Sequence, residues 1–230
     1  MSLSKNTLSN WAQLQQMLSE KNVEAYIALR LAKPEHQQQL FALFILFQEA
    51  YEATETKEPM VGKIKMAWWR ERIEEIIAGK VARPHPALLA LGADFKYYPE
   101  LLNILDEFEK LIDGWQPKTF AEIEEFVRKT FGALFAICGK ITGTEDADKL
   151  GFAYGNLYLL RKFKLNQNMF AGSSSVAEIA LENFQKNLDI AEMHRANSAF
   201  ALTIQHYKKH EYQKRWKLLL KLFMKAKTAL

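Results

Sequence analysis

The stretch EHQQQLFALFILFQEAYEATE, residues 35–55, carries an unbroken apolar run from Leu40 to Phe47 and then turns acidic at Glu49, Glu52 and Glu55. Its apolar positions cover most of a helical circumference, which predicts a central helix that other helices surround. Residues 120–142 and 145–167 read the same way. Polar groups on the inward faces of such helices stand out: Gln48, Glu49, Glu52 and Glu55 on the first, Asn156, Arg161, Lys162 and Asn166 on the last.

Working outward, periodicity predicts helices at 9–19, 22–32, 60–78, 86–92, 98–113, 176–205 and 207–227 as well, with no alternating strand. All six prolines fall between these segments or in their first turn. Thr119 followed by Glu122 is a capping box, and Thr144 before Glu145 and Asp146 offers a cap with acids at the positive helix end. The expected fold class is all-α. Gly172–Ser175 is too short to separate domains, so residues 1–230 are expected to form a single helical domain.

The chain has 230 residues and is 49% apolar, enough for a substantial core. Eight apolar residues in a row fall far short of the roughly 18 to 20 that cross a bilayer. Residues 1–10 are polar and lack the pattern of a secretory signal, so an intracellular protein is expected. The single cysteine, Cys138, excludes an intramolecular disulfide and a cysteine-based zinc cluster.

The net charge of +4 hides an asymmetry. Residues 206–230 hold eight Lys/Arg against Glu211, whereas residues 1–205 hold 23 basic and 26 acidic side chains. Within that tail Trp216, Leu219, Leu220 and Phe223 form one apolar stripe, with Lys214, Lys217, Lys221 and Lys225 largely off it. A basic amphipathic helix of this kind either docks on the bundle with its lysines in water or lies on an anionic membrane surface. The membrane-contacting residues would be Trp216, Leu220, Phe223, Lys217 and Lys221. Nucleic acid is not expected as a partner, since the body is acidic and no reader motif is present.

The run Glu58-Pro59-Met60-Val61-Gly62-Lys63-Ile64-Lys65-Met66-Ala67-Trp68-Trp69-Arg70, then Gly79 and Pro84-His85-Pro86, resembles the squalene/phytoene synthase family, whose corresponding run reads like EP, GxIRLxWWR, G and HP. Tyr26–Pro34 with Leu40–Glu55, Trp115–Gly132 and Leu150–Arg161 are similar to further family segments in the same order. The resemblance covers residues 22 to about 170. It implies an isoprenoid-synthase helical bundle around an apolar cavity, where active members join two prenyl diphosphates head to head. Two Asp-rich motifs there hold Mg²⁺, which carries the diphosphate leaving group.

This chain departs from both motifs. On the first, Gln48 stands at the Arg, Tyr51 and Glu52 at the paired Asp, and Glu55 at the last Asp. Glu52 and Glu55, three apart, are expected to share one helical face and a cation, the metal being Mg²⁺ if the chain is active. The second motif reads Leu160-Arg161-Lys162-Phe163-Lys164-Leu165-Asn166, with no acid left. An ammonium about 4 Å from a divalent ion repels it by several kcal/mol at an effective dielectric near 20. Arg161, Lys162 and Lys164 are instead candidates for binding diphosphate directly.

The mitochondrial complex I assembly-factor branch of the family also lacks the Asp motifs. By that resemblance the chain is expected to be a non-catalytic assembly or lipid- or partner-binding factor, cytoplasmic or in the mitochondrial matrix, peripheral to the inner membrane. A prenyl diphosphate or other isoprenoid lipid, a membrane surface and a respiratory complex I subunit are the partners it implies. The alternative is a divergent prenyltransferase using Glu52 and Glu55. Structural readings stand beside these: a solvated helix end for Glu49, Glu52 and Glu55, core filling for Trp68 and Trp69, close helix contact for Gly151 and Gly155, and a solvated basic face for His206 and His210.

Overall fold

A computed structural model describes residues 5–80, 85–117, 119–145, 147–152 and 154–155. The helices predicted at 176–205 and 207–227, and most of that at 145–167, lie outside the described residues. Among the described residues these α-helices follow in order: α1 (Lys5–Lys21), α2 (Val23–Arg30), α3 (Pro34–Ala53), α4 (Pro59–Ile77), α5 (Pro86–Leu91), α6 (Tyr98–Ile112), α7 (Phe120–Val127) and α8 (Ala133–Thr142), and residues 147–152 and 154–155 are helical too. Among the described residues there is no strand, as expected, and no helix long and apolar enough to cross a membrane.

Two compact units emerge, one built from α1 to α6 and the other from residue 117 onward. In the first, α3 packs against α1, α4, α5 and α6. Every residue from Leu40 to Phe47 is buried, so the predicted central helix is central. Prolines set its neighbours: Pro34, Pro59 and Pro86 open α3, α4 and α5, and Pro99 lies in the first turn of α6. A first turn tolerates proline because its N–H has no intrahelical partner there.

Helix α6 buries Leu101, Ile104, Leu105, Phe108 and Ile112 at spacings of three and four, and Phe108 meets Phe47 and Tyr51 of α3 edge to face. Its opposite side is tied to α4 by charge. Arg70 donates to Asp106 at 2.6 Å and to Glu109 at 3.0 Å, and Lys63 lies 2.6 Å from Asp113. These pairs are partly exposed and orient the helices more than they stabilise them.

The turn between α3 and α4 is tight. Thr54 and Glu55 donate their N–H groups to the carbonyls of Tyr51 and Glu52, and the Thr56 hydroxyl donates to the Ala53 carbonyl at 3.0 Å. Gly62 lies against this turn, where an added Cβ would stand 2.5 Å from the Ala53 oxygen and 2.9 Å from the Thr56 hydroxyl.

In the second unit the predicted helix 120–142 is interrupted by a π turn over Arg128–Gly132. Buried Thr130 donates its hydroxyl to the Phe126 carbonyl at 2.7 Å, a side-chain bond back into the preceding turn that favours widening. Thr119 caps α7 as predicted, its hydroxyl accepting from the Glu122 N–H at 3.3 Å. Gly151 and Gly155 do permit close helix contact: Cβ atoms there would press into Phe131 and its neighbours Phe135 and Val127.

Because the Ala53 carbonyl is backbone and cannot swing away, Gly62→Ala is expected to lower stability by roughly 1–3 kcal/mol. A thermal melt by circular dichroism checks this, with Gly79→Ala as the comparison for a glycine whose demand is a positive φ rather than space.

Candidate functional site

The acidic end of α3 opens into a cleft of about 400 Å³ lined by Lys21, Glu49, Glu52, Ile64, Lys65, Trp68 and Trp69. Three helices supply it: the last residue of α1, the last turns of α3 and the middle of α4. Of the sequence-predicted residues, Glu52 is there. Glu55 is not among the lining residues, because α3 ends at Ala53 and the hydroxyl-stabilised turn takes Glu55 past the helix end. The expectation that Glu52 and Glu55 share a helical face is therefore corrected. Glu49, one turn earlier on α3, is the carboxylate that joins Glu52.

Both oxygens of Glu52 are engaged. Lys21 Nζ donates to Oε2 at 2.5 Å and Gln48 Nε2 donates to Oε1 at 3.3 Å. Gln48 is 8% exposed and accepts in turn from Asn22 Nδ2 at 3.5 Å, while Asn22 Oδ1 caps α2 by accepting from the Ala25 N–H at 3.0 Å. Lys21 Nζ also lies 3.9 Å from Glu49 Oε1. Tyr51, at the other paired-Asp position, is buried with its ring 5.6 Å from Phe108, on the core side of α3.

His85 closes the back of the site. Its Nδ1 accepts from the Ala87 N–H at 3.2 Å and caps α5, so the neutral ring carries its proton on Nε2, 3.7 Å from Glu49 Oε2. The ring is flanked edge to face by Trp69 and Trp68, with centroids at 4.7 and 5.8 Å. Burial, with the charge of Lys21 adding to it, pushes His85 down to about 4. At neutral pH its contact with Glu49 is therefore not an ion pair. Burial pushes the Glu49 carboxyl up; Lys21 pulls it back, Glu52 pushes it further, and Lys65 pulls it back.

This donor set does not fit the Mg²⁺ implied by the resemblance. Mg²⁺ requires accessible oxygen ligands in near-octahedral array. Here the two carboxylates share an ammonium, and a second lysine, Lys65, lines the same cleft. Among the described residues no three His, Cys, Asp or Glu side chains converge on a metal-sized site. Arg161, Lys162, Lys164, Asn156 and Asn166, with the tail residues Trp216, Lys217, Leu220, Lys221 and Phe223 and the pair His206 and His210, lie outside the described residues.

Sequence reading assigned no role to Lys21, Asn22 or Lys65. Lys21 is 31 residues from Glu52, and no local pattern marks a lysine at the end of one helix as the partner of another. Trp69 is core, as expected, whereas Trp68 is only half-buried and both line the cleft.

His85 yields a pH prediction. Its folded value lies below the unfolded one, near 6.5, so its contribution is fully present above pH 6.5 and is lost as pH falls toward 4. Without screening the loss would be about 3 kcal/mol, and solvent around the partly exposed ring reduces it to on the order of 2 kcal/mol. Glu49, shifted up, works in the opposite sense over the acidic range. Melting the wild type and His85→Asn, which keeps a capping side chain, between pH 4 and 7 should show the steeper acid loss in the wild type alone.

The profile of the family described as squalene/phytoene synthase matches residues 18–169. The NADH dehydrogenase (ubiquinone) complex I, assembly factor 6 proteins of Homo sapiens and Mus musculus are each 25% identical over 158 residues, 64% of this chain and 47% of theirs. The chain thus spans about half the length of the curated relatives it matches. A dehydrosqualene synthase crystallised with a ligand superposes with a TM-score of 0.73, covering 98% of both chains at 14% identity, a likeness of fold.

Proposed function

Since the chain belongs to the squalene/phytoene synthase family, we propose that it is a non-catalytic member that serves as an assembly or binding factor. One observation carries this reading. Of the four positions aligned with the family's first acidic motif, Gln48, Tyr51, Glu52 and Glu55, Glu52 alone lines the cleft. Gln48 is an uncharged hydrogen-bond relay, Tyr51 belongs to the core, and Glu55 lies beyond the helix. Glu52 and its neighbour Glu49, which share the Lys21 ammonium, cannot gather the cations that ionising an allylic diphosphate requires. The acid-free run Leu160–Asn166 supports the same conclusion.

The likeness to complex I assembly factors supports a client of that kind, a respiratory complex I subunit or an assembly intermediate. An apolar cavity of the family type would suit an isoprenoid lipid, and the basic helix at 207–227 would meet an anionic membrane surface.

The test is turnover. Purified full chain, shown to be folded and helical, is incubated with farnesyl or geranylgeranyl diphosphate, with and without Mg²⁺, while diphosphate release and extracted hydrocarbon are followed. No product above the protein-free rate is expected. Mg²⁺-dependent condensation that Glu52→Gln abolishes would overturn the proposal and favour a divergent prenyltransferase.

A further inference from the structure

We infer that Lys21 is a tethered cation that stands in for a divalent ion on the acidic end of α3, and that its ammonium is what closes the Glu49–Glu52 pair to metal. The inference deepens the non-catalytic reading above and rests on it for why the motif has no metal to lose. The geometry is that of a bound ion. Lys21 Nζ sits 2.5 Å from Glu52 and 3.9 Å from Glu49, bridging carboxylates one helical turn apart.

All three side chains are partly withdrawn from water, at 27%, 35% and 23% exposure for Lys21, Glu52 and Glu49. Withdrawal raises the penalty for leaving either carboxylate uncompensated. Gln48 and Asn22 fix the far side of Glu52, so the carboxylate is presented to Lys21 in one orientation. Charge in the cleft is balanced, Glu49 and Glu52 against Lys21 and Lys65. Without the Lys21 charge, two neighbouring carboxylates face one rim lysine, and a hard divalent cation becomes the natural replacement.

The tether also has a structural share. Lys21 is the last residue of α1, so the bridge joins the end of α1 to the end of α3 without any ion from solution. It follows that wild-type stability is indifferent to chelators.

Full-length wild type, Lys21→Met, Lys21→Arg and Lys21→Met/Glu52→Gln are titrated with Mn²⁺ by calorimetry and melted with Mn²⁺ or EDTA. Wild type and Lys21→Arg should bind no Mn²⁺ in the cleft and melt identically in both. Lys21→Met should bind Mn²⁺ about tenfold or more tighter than wild type and regain in Mn²⁺ the several degrees of Tm it loses in EDTA. The double variant should lose that binding. Folded Lys21→Met without Mn²⁺ binding overturns the inference, as does wild-type binding at Glu52.

Should Lys21→Met fail to fold, the double variant decides. Recovery of folding supports charge compensation by Lys21, and continued failure shows that Lys21 acts through packing and overturns it. Condensation that survives Glu52→Gln would strike the functional proposal alone, condensation lost with Glu52→Gln strikes both, and folded Lys21→Met without Mn²⁺ binding strikes only the role of Lys21.

Discussion

Burying α3 on all sides is the constraint from which the first unit follows. A helix whose core-facing run is Leu40 to Phe47, with no exposed residue among them, must be enclosed by α1, α4, α5 and α6. The amphipathic stripe of α6 and the tight turn into α4 are ways of meeting that demand. Enclosure has a second effect at the end of the helix. Gln48, Glu49 and Glu52 continue the same helix just beyond its apolar run, so their charges must be answered by neighbouring helices as well as by water.

Those answers meet at the cleft. Lys21 arrives from α1, Lys65 from α4, and a capping histidine before α5 presents a neutral ring to Glu49. Each comes from an element placed by the packing of α3. The same enclosure that secures the core therefore also positions the cations that occupy the acidic motif.

Much of this was legible in the sequence, for physical reasons. The apolar run announced a central helix, the Thr119–Glu122 pair a helix start, and the Gly62–Arg70 landmarks a family. Gly62 now has a local reason in the Ala53 carbonyl that it abuts, and Arg70 one in the two carboxylates of α6. Glu55 was misplaced because where α3 ends depends on the hydroxyls of Thr54 and Thr56 and on the turn into Pro59, details finer than periodicity. Lys21 escaped notice because ion pairs between residues distant in sequence leave no local signature. The split of 120–142 was invisible for a similar reason: it falls where the buried Thr130 hydroxyl bonds back to the Phe126 carbonyl, a detail periodicity does not carry.

That widened turn bears on how this chain varies in length. A π turn accommodates one residue more than an α turn, while the helices on either side keep their facing. Adding or deleting a residue within α7 would rotate everything downstream by about 100° and carry Phe131, Leu134, Phe135 and Cys138 off the buried side. Deleting one residue inside Arg128–Gly132 instead closes the turn to α geometry and leaves Leu134, Phe135 and Cys138 in place. The segment is thus a reserve of slack for one residue in an otherwise phase-locked helix.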